Sequence, residues 1–199
     1  MKPAAIGRLL VIALAFLVIR LALLLARDPF FDELFTLWMA RQPFTSIVPN
    51  LLHDSGPPLY YFLARFDSIA ALRVLSLLFA TVQFALIYRR SWVAGALLAV
   101  YPPAALFAVD ARAYALCALL ITIGVLMLDR PYTAAVAFAL AAYTHYYGVL
   151  FFPLLLLSGN PKSKIQNPKS FLLAAALFVP GFVLVSRQPR EAFAWAHRE

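Results

Sequence analysis

Charged side chains are scarce in this 199-residue chain: Asp, Glu, Lys and Arg make up 13% of it, against 64% hydrophobic residues. An ordinary soluble domain is about one quarter charged and nearer one half apolar. Too little polar surface remains to coat a globule, which excludes a water-soluble protein and makes lipid the main solvent. Acidic residues are the scarcest charges, 9 against 17 basic ones, for a net charge of +8. That surplus raises nucleic acid as a partner. The basic residues, however, lie in short clusters between apolar runs and form no contiguous stripe, the pattern of membrane topology signals, so no nucleic acid is expected. Cysteine is almost missing. Cys117 alone excludes a disulfide framework and a thiolate metal site, and reads as a small buried apolar side chain. No repeat relates the two halves of the chain, as a transporter of inverted repeats would require.

What is present is hydrocarbon. Mean hydropathy is +0.84, and Phe, with 17 copies, outnumbers Trp and Tyr together, as suits a bilayer interior flanked by interfacial belts. The fold class is therefore all-α, a polytopic transmembrane helical bundle. Lys2 and Arg8 precede an apolar run over residues 9–26. Arg20 interrupts this run and no small-x-small cleavage site follows, so it reads as an uncleaved first span with its N-terminus in the cytoplasm. Arg20 is then near the outer end, placed to snorkel or to face a site. Further spans cover residues 72–88, 92–107 (broken by Tyr101-Pro102-Pro103), 113–128 and 171–186, with Arg89-Arg90, the polar hairpin Val109-Asp110-Ala111-Arg112 and Asp129-Arg130-Pro131 as turns.

Residues 132–158 are about 27 residues, roughly 40 Å as one helix. They make one tilted span or two short ones meeting at Thr144-His145-Tyr146-Tyr147-Gly148. Two spans put Lys2, Lys162, Lys164, Lys169 and Arg89-Arg90 on the cytoplasmic side and Asp32, Glu33, Asp54 and Asp110 on the opposite one, which lysine bias favours. The count is then about seven spans. In this layout the chain is a single module with a first exoplasmic loop at 27–71, a cytoplasmic loop at 159–170 and an exoplasmic tail at 187–199. The cytoplasmic loop holds a short duplication, Asn160-Pro161-Lys162-Ser163 and Asn167-Pro168-Lys169-Ser170.

The first exoplasmic loop concentrates the acidic groups: Asp28, Asp32, Glu33 and Asp54. Keeping charge near hydrocarbon is costly, and membrane proteins that do so usually have a site there. Phe31, Leu34, Phe35 and Trp38 form one helical stripe, predicting an amphipathic helix that rests on the bilayer surface. Pro43 and Pro49 break the segment after it. Gly56-Pro57 starts a second interfacial helix over 57–68.

Four polar clusters converge on this face: Asp32-Glu33, His53-Asp54 before Pro57-Pro58, Asp110-x-Arg112-x-Tyr114, and His145-Tyr146-Tyr147. An acidic pair after the first span, Pro57-Pro58-Leu59-Tyr60-Tyr61, Arg73-Val74-Leu75-Ser76, an acidic-Ala-Arg-x-Tyr hairpin and Thr144-His145-Tyr146-Tyr147-Gly148 occur in that order. In this the chain resembles the GT-C superfamily of integral-membrane glycosyltransferases, in the branch of protein O-mannosyltransferases and the lipid A aminoarabinose transferase. The resemblance implies sugar transfer from a polyprenyl-phosphate donor to an exoplasmic acceptor in the cell membrane. It implies Asp32 as the catalytic carboxylate with Glu33 as its neighbour. Arg112 and Asp110 would lie at the donor phosphate, with Arg73 and His145 as further phosphate ligands and His53, Asp54, Tyr60 and Tyr114 in supporting or acceptor roles. Gly56 stands where members often carry His. Members also continue for several hundred residues, which implies a partner subunit supplying the rest or a minimal module.

The chemistry fits these residue types. An acceptor hydroxyl needs a base, and a transition state with oxocarbenium character gains from a nearby carboxylate. The departing phosphate gathers charge that Arg112 can stabilise, and a divalent metal held by carboxylates and His is a further option that the motifs do not require. Each cluster also has a plainer explanation. Asp32 and Glu33 can cap a helix, Asp110 and Arg112 can form a hairpin salt bridge, His145 can be a turn residue, and the tyrosines can be belt aromatics. A small transporter and an inactive scaffold module are the competing functions.

Overall fold

The computed structural model describes residues 3–54, 56–157 and 168–189. Among these, every regular element is a helix, as expected where the solvent offers the backbone no hydrogen bonds. In chain order they are α1 (Pro3–Ala26), α2 (Phe31–Ala40), α3 (Phe44–Leu51), α4 (Leu59–Leu63), α5 (Ile69–Arg90), α6 (Trp92–Val100), α7 (Pro102–Phe107), α8 (Tyr114–Leu126), α9 (Pro131–Thr144), a 3₁₀ helix (Tyr146–Leu157) and α10 (Pro168–Arg187). Three of them, α1, α5 and α10, are long and apolar enough to cross a membrane. The expected loop at 159–170 and tail at 187–199 lie largely outside the described residues.

Burial is inverted relative to a soluble protein. On α1 only Phe16 and Arg20 are buried, while Leu10, Val11, Leu14 and Leu25 face outward. Inside, α8 packs on α5 and α9, and α9 packs on the 3₁₀ helix and α10. Alanine fills these seams, with Ala134, Ala135, Ala141, Ala142 and Ala174 fully buried. Small side chains let backbones approach closely where lipid supplies no hydrophobic drive for association.

Helix boundaries follow local chemistry. Ser68 and Ser91 cap α5 and α6, each hydroxyl accepting an amide at 3.2 Å, and Arg89 and Arg90 sit in the last turn of α5, where cations suit the helix dipole. The break at Tyr101-Pro102-Pro103 is present, with Tyr101 extended between α6 and α7. The loop helices depart from expectation twice. Residues 44–51 form α3 in spite of Pro43 and Pro49, because Pro43 precedes the helix and Pro49 forfeits a single bond. The helix expected over 57–68 is only α4, since Ala64 leaves the helical region with ψ of 68°.

α2 is present where the apolar stripe predicts a helix, but the stripe splits. Phe31, Leu34 and Trp38 are exposed, whereas Phe35 turns inward to meet Tyr61 edge-on at 6.0 Å. The opposite face buries Glu33, Thr36 and Met39. α2 thus hides polar groups and shows apolar and aromatic ones.

Between α9 and the 3₁₀ helix the chain turns back at His145. Phe138 meets Phe151 at 6.2 Å, and Gly148 lies on the backbone of Ala141 and Ala142, which is antiparallel register. Residues 132–157 are thus two short rods, of roughly 21 Å for α9 and 24 Å for the 3₁₀ helix. Gln188, just after α10, donates to the carbonyls of Leu51 (2.8 Å) and Gly56 (3.0 Å) and accepts from the Tyr146 hydroxyl (2.9 Å). The end of α10, the 51–56 loop and the turn at 145–146 therefore share one end of the bundle.

A Cβ at position 148 would collide with the α9 backbone, which cannot yield as a flexible side chain does. Gly148→Val should destabilise the protein by roughly 1–3 kcal/mol, read as a lowered thermal midpoint in detergent, whereas Gly7→Val, in open space, should leave it unchanged.

Candidate functional site

The polar end of the bundle is built around Glu33. α2 begins right after the turn that follows α1, and its first turn aims the Glu33 side chain inward, where residue exposure is 0%. Arg73, from the first turns of α5, grips it with both edges of the guanidinium, Nε to Oε1 at 2.8 Å and Nη2 to Oε2 at 2.6 Å. The amide of Ala111 donates to Oε1 at 2.8 Å and that of Phe30 to Oε2 at 3.4 Å. Arg73 spends its remaining donors on backbone carbonyls after α1, those of Arg27 (2.7 Å) and Asp28 (3.1 Å), with Leu24 at 3.5 Å. One ion pair thus ties α1, α2, α5 and the 109–113 turn. Burial alone pushes the Glu33 carboxyl upward, but the bonds from Arg73, Ala111 and Phe30 and the Arg73 charge outweigh it and hold the carboxyl below its ordinary value.

Asp110 is likewise engaged. Its carboxylate pairs with Arg27, and burial, the largest influence, still raises it above the ordinary carboxylate value against the pull of Arg27. Its carbonyl accepts the Arg112 amide at 2.7 Å in a three-residue turn. That turn swings the Arg112 side chain toward α2.

Asp32 stands apart from these pairs. One residue before Glu33, it lies about 100° around the helix and keeps 46% of its side chain exposed, with its carboxylate 3.7 Å from Arg112 Nη2. Arg112 Nη1 also donates to the Asp32 carbonyl at 3.3 Å. The two residues expected to act on one substrate are therefore neighbours. Around them lie aromatic rings. Phe107 and Tyr114 meet at 4.8 Å, Tyr114 and His145 at 5.5 Å, and His145 and Tyr147 at 4.7 Å. The Tyr147 amide donates to His145 Nδ1 at 3.3 Å, which leaves the imidazole proton on Nε2. Burial and then the Arg112 charge lower the His145 pKa, so at neutral pH His145 offers an uncharged N–H donor.

The other expected residues divide. Asp54, Arg112 and Asp32 all lie within electrostatic reach of the buried Tyr61 hydroxyl. Tyr60 is 1% exposed and burial pushes its hydroxyl up to about 12; it is a core residue and supports the site only from beneath. His53 is exposed and its ring takes no part in the cluster. Glu33 and Arg73, expected as catalytic neighbour and phosphate ligand, are saturated by each other and by backbone. Arg20 neither snorkels nor faces this site but turns inward. Arg27 and Phe107 have no role in the sequence reading; Arg27 meets a partner 83 residues away, a distance that leaves no local pattern.

Below Tyr114 an apolar cavity of about 250 Å³ opens between α5, the α6–α7 break and α8, walled by Ala80, Leu98, Tyr101, Phe107 and Ala115. Among the described residues no three His, Cys, Asp or Glu side chains gather to hold a metal ion. Comparison with protein-family models, curated proteins and solved structures finds no match.

The sign of the pH response follows from Glu33. A carboxyl lowered by folding contributes stability that is complete above its ordinary value, about 4, and that disappears as pH falls through the lowered one. Glu33→Gln should cost about 3–5 kcal/mol at neutral pH, because Arg73 would stay buried without its counter-charge, and should flatten the acid limb of stability against pH. An acid limb identical to that of the parent would show that the pair does not carry it.

Proposed function

We propose that this chain is an integral-membrane glycosyltransferase of the GT-C kind, moving a sugar from a polyprenyl-phosphate donor to an exoplasmic acceptor, with Asp32 as the base. The observation that supports this most is the pairing of one water-exposed carboxylate, Asp32, with one guanidinium, Arg112, at 3.7 Å, beside an apolar cavity that begins at Tyr114. A polar reaction on a lipid-borne substrate needs both solvents at one place. The acceptor hydroxyl attacks the anomeric carbon and gives its proton to Asp32. The bond from that carbon to the phosphate oxygen breaks, and its electron pair leaves with the polyprenyl phosphate. Arg112 and the Nε2–H of His145 meet the growing phosphate charge. The prenyl chain lies along the cavity, with Tyr114 at its mouth.

The same proposal includes about seven crossings, with the N-terminus in the cytoplasm and the site on the exoplasmic side of an inner or plasma membrane. The antiparallel rods at 131–157 and the shared end of α10 and the 51–56 loop support it. A second possibility, a scaffold or lipid-binding subunit that works with a larger partner, is favoured by one observation: Glu33, Arg73, Arg27 and Asp110 are all consumed in structural pairs.

Purified protein with several polyprenyl-phosphate sugars and separate assays of binding and turnover distinguishes the two. Asp32→Asn should lower turnover roughly a hundredfold or more with donor affinity little changed. Arg112→Ala should weaken donor binding, and Arg112→Lys should restore it only in part, lacking the planar fork. Lipid binding without turnover in the parent protein would support the scaffold.

For topology, single cysteines in a Cys117→Ala background report directly. Impermeant thiol reagent on intact cells should label positions 53 and 147 and spare positions 91 and 169. Labelling of position 169 from outside would reduce residues 131–157 to one crossing.

A further inference from the structure

α6 ends at Val100 and α7 begins with two prolines. In an unbroken helix the carbonyls of Leu98 and Ala99 would accept from the amides of residues 102 and 103, but proline has no N–H. The shortage starts there and not earlier, since the Tyr101 amide still bonds the Leu97 carbonyl at 2.9 Å. An unfilled carbonyl facing hydrocarbon costs several kcal/mol.

Both vacancies are filled from another helix. Arg20 of α1 donates from Nη2 to the Leu98 carbonyl at 3.0 Å and from Nη1 to the Ala99 carbonyl at 2.8 Å, with a further bond to its own Phe16 carbonyl at 3.2 Å. The side chain is buried at 1% exposure. Among the described residues no carboxylate pairs with it; the guanidinium lies over the Phe16 ring, 3.8 Å from its centre, and that ring stacks on Phe84 at 4.6 Å. A cation without a counter-ion is an expensive occupant of a membrane helix. Two N–H groups on one rigid fork are what adjacent orphan carbonyls require, and lysine cannot present them in that geometry.

We infer that Arg20 is a positioning residue whose guanidinium substitutes for the two backbone amides missing at Pro102 and Pro103. It thereby holds the α6–α7 break in the shape that forms one wall of the cavity, at Leu98, Tyr101, Pro103 and Ala104. Arg20 touches nothing at the Asp32–Arg112 pair and acts only through the helix it completes.

The test is a mutant cycle on the full chain in detergent, with readouts independent of enzymatic activity. Arg20→Met should lower the apparent melting temperature by roughly 5 °C or more. Combined with Pro102→Ala and Pro103→Ala, which return amides to Leu98 and Ala99, the same change should lose most of its effect. If Arg20→Met is as damaging in the alanine background as in the parent, the substitution of donors is wrong. Should Arg20→Met fail to accumulate, the comparison is made on folded yield in the membrane, and a triple variant no better recovered than the single one overturns the proposal. For the cavity, a cysteine at Ala104 in the Cys117→Ala background should react with an apolar maleimide, and Pro102→Ala/Pro103→Ala should slow that reaction several-fold as the helix closes over the gap. An unchanged rate would separate the break from the cavity and refute the second half of the inference.

Discussion

The Glu33–Arg73 ion pair is the constraint on which the polar end of this protein depends. Side-chain exposure is 0% for Glu33 and 5% for Arg73, and such a pair repays its desolvation only when the remaining lone pairs and protons are satisfied as well. Here they are. The amides of Ala111 and Phe30 complete the carboxylate, and the carbonyls of Arg27 and Asp28 complete the guanidinium. Because each of these bonds reaches a different segment, the pair fixes where α1 ends, how α2 is rotated and where the 109–113 turn sits. Rotation of α2 decides the rest. Once Glu33 is anchored inward, Asp32 has to point toward water and Arg112, and Phe31, Leu34 and Trp38 have to face outward.

Arginine recurs as a device for completing helix ends. Arg73 serves the carbonyls after α1, Arg20 those at the end of α6, and Arg65 those of Met39 and Gln42 after α2. A helix leaves its last carbonyls without partners, water normally fills them, and lipid does not. A planar fork with five donors answers this need on two or three carbonyls at once. The surplus of basic residues is therefore only partly a topology signal. Arg20 and Arg73 are buried and serve backbone inside the bundle.

That division explains what the sequence made legible. Punctuation was readable: the Pro102-Pro103 break, the polar turn at 109–112 and the reversal at His145 all occur where proline, charge or a polar cluster interrupts an apolar run. Amphipathic α2 was readable from its stripe, although Phe35 lies at the stripe's edge and packs inward. What could not be read is which of two adjacent carboxylates faces in. Asp32 and Glu33 have the same chemistry, and only Arg73 and Ala111, 40 and 78 residues from Glu33, decide between them. Arg20 was misplaced for a similar reason. Position along α1 suggests snorkelling, but its partners are carbonyls 78 and 79 residues away, made available by Pro102 and Pro103, a need that composition and periodicity do not register. α3 is not legible because Pro43 and Pro49 read as breakers, although proline before a helix and one lost bond within it are both tolerable.

The two structural pairs also sharpen the chemistry that remains. With Glu33 bound to Arg73 and Asp110 bound to Arg27, the carboxylate facing both water and the aromatic column is Asp32, and the cation beside it is Arg112. A carboxylate 3.7 Å from a guanidinium, beyond ordinary hydrogen-bond distance, is neither locked into a structural pair nor free of its field. An anionic group arriving between them would compete with Asp32 for Arg112, whose planar fork suits such a group. The surrounding clasp makes this exchange possible, because Arg112 can change partners only if the turn that carries it stays fixed, and the Ala111 amide on Glu33 is what fixes it.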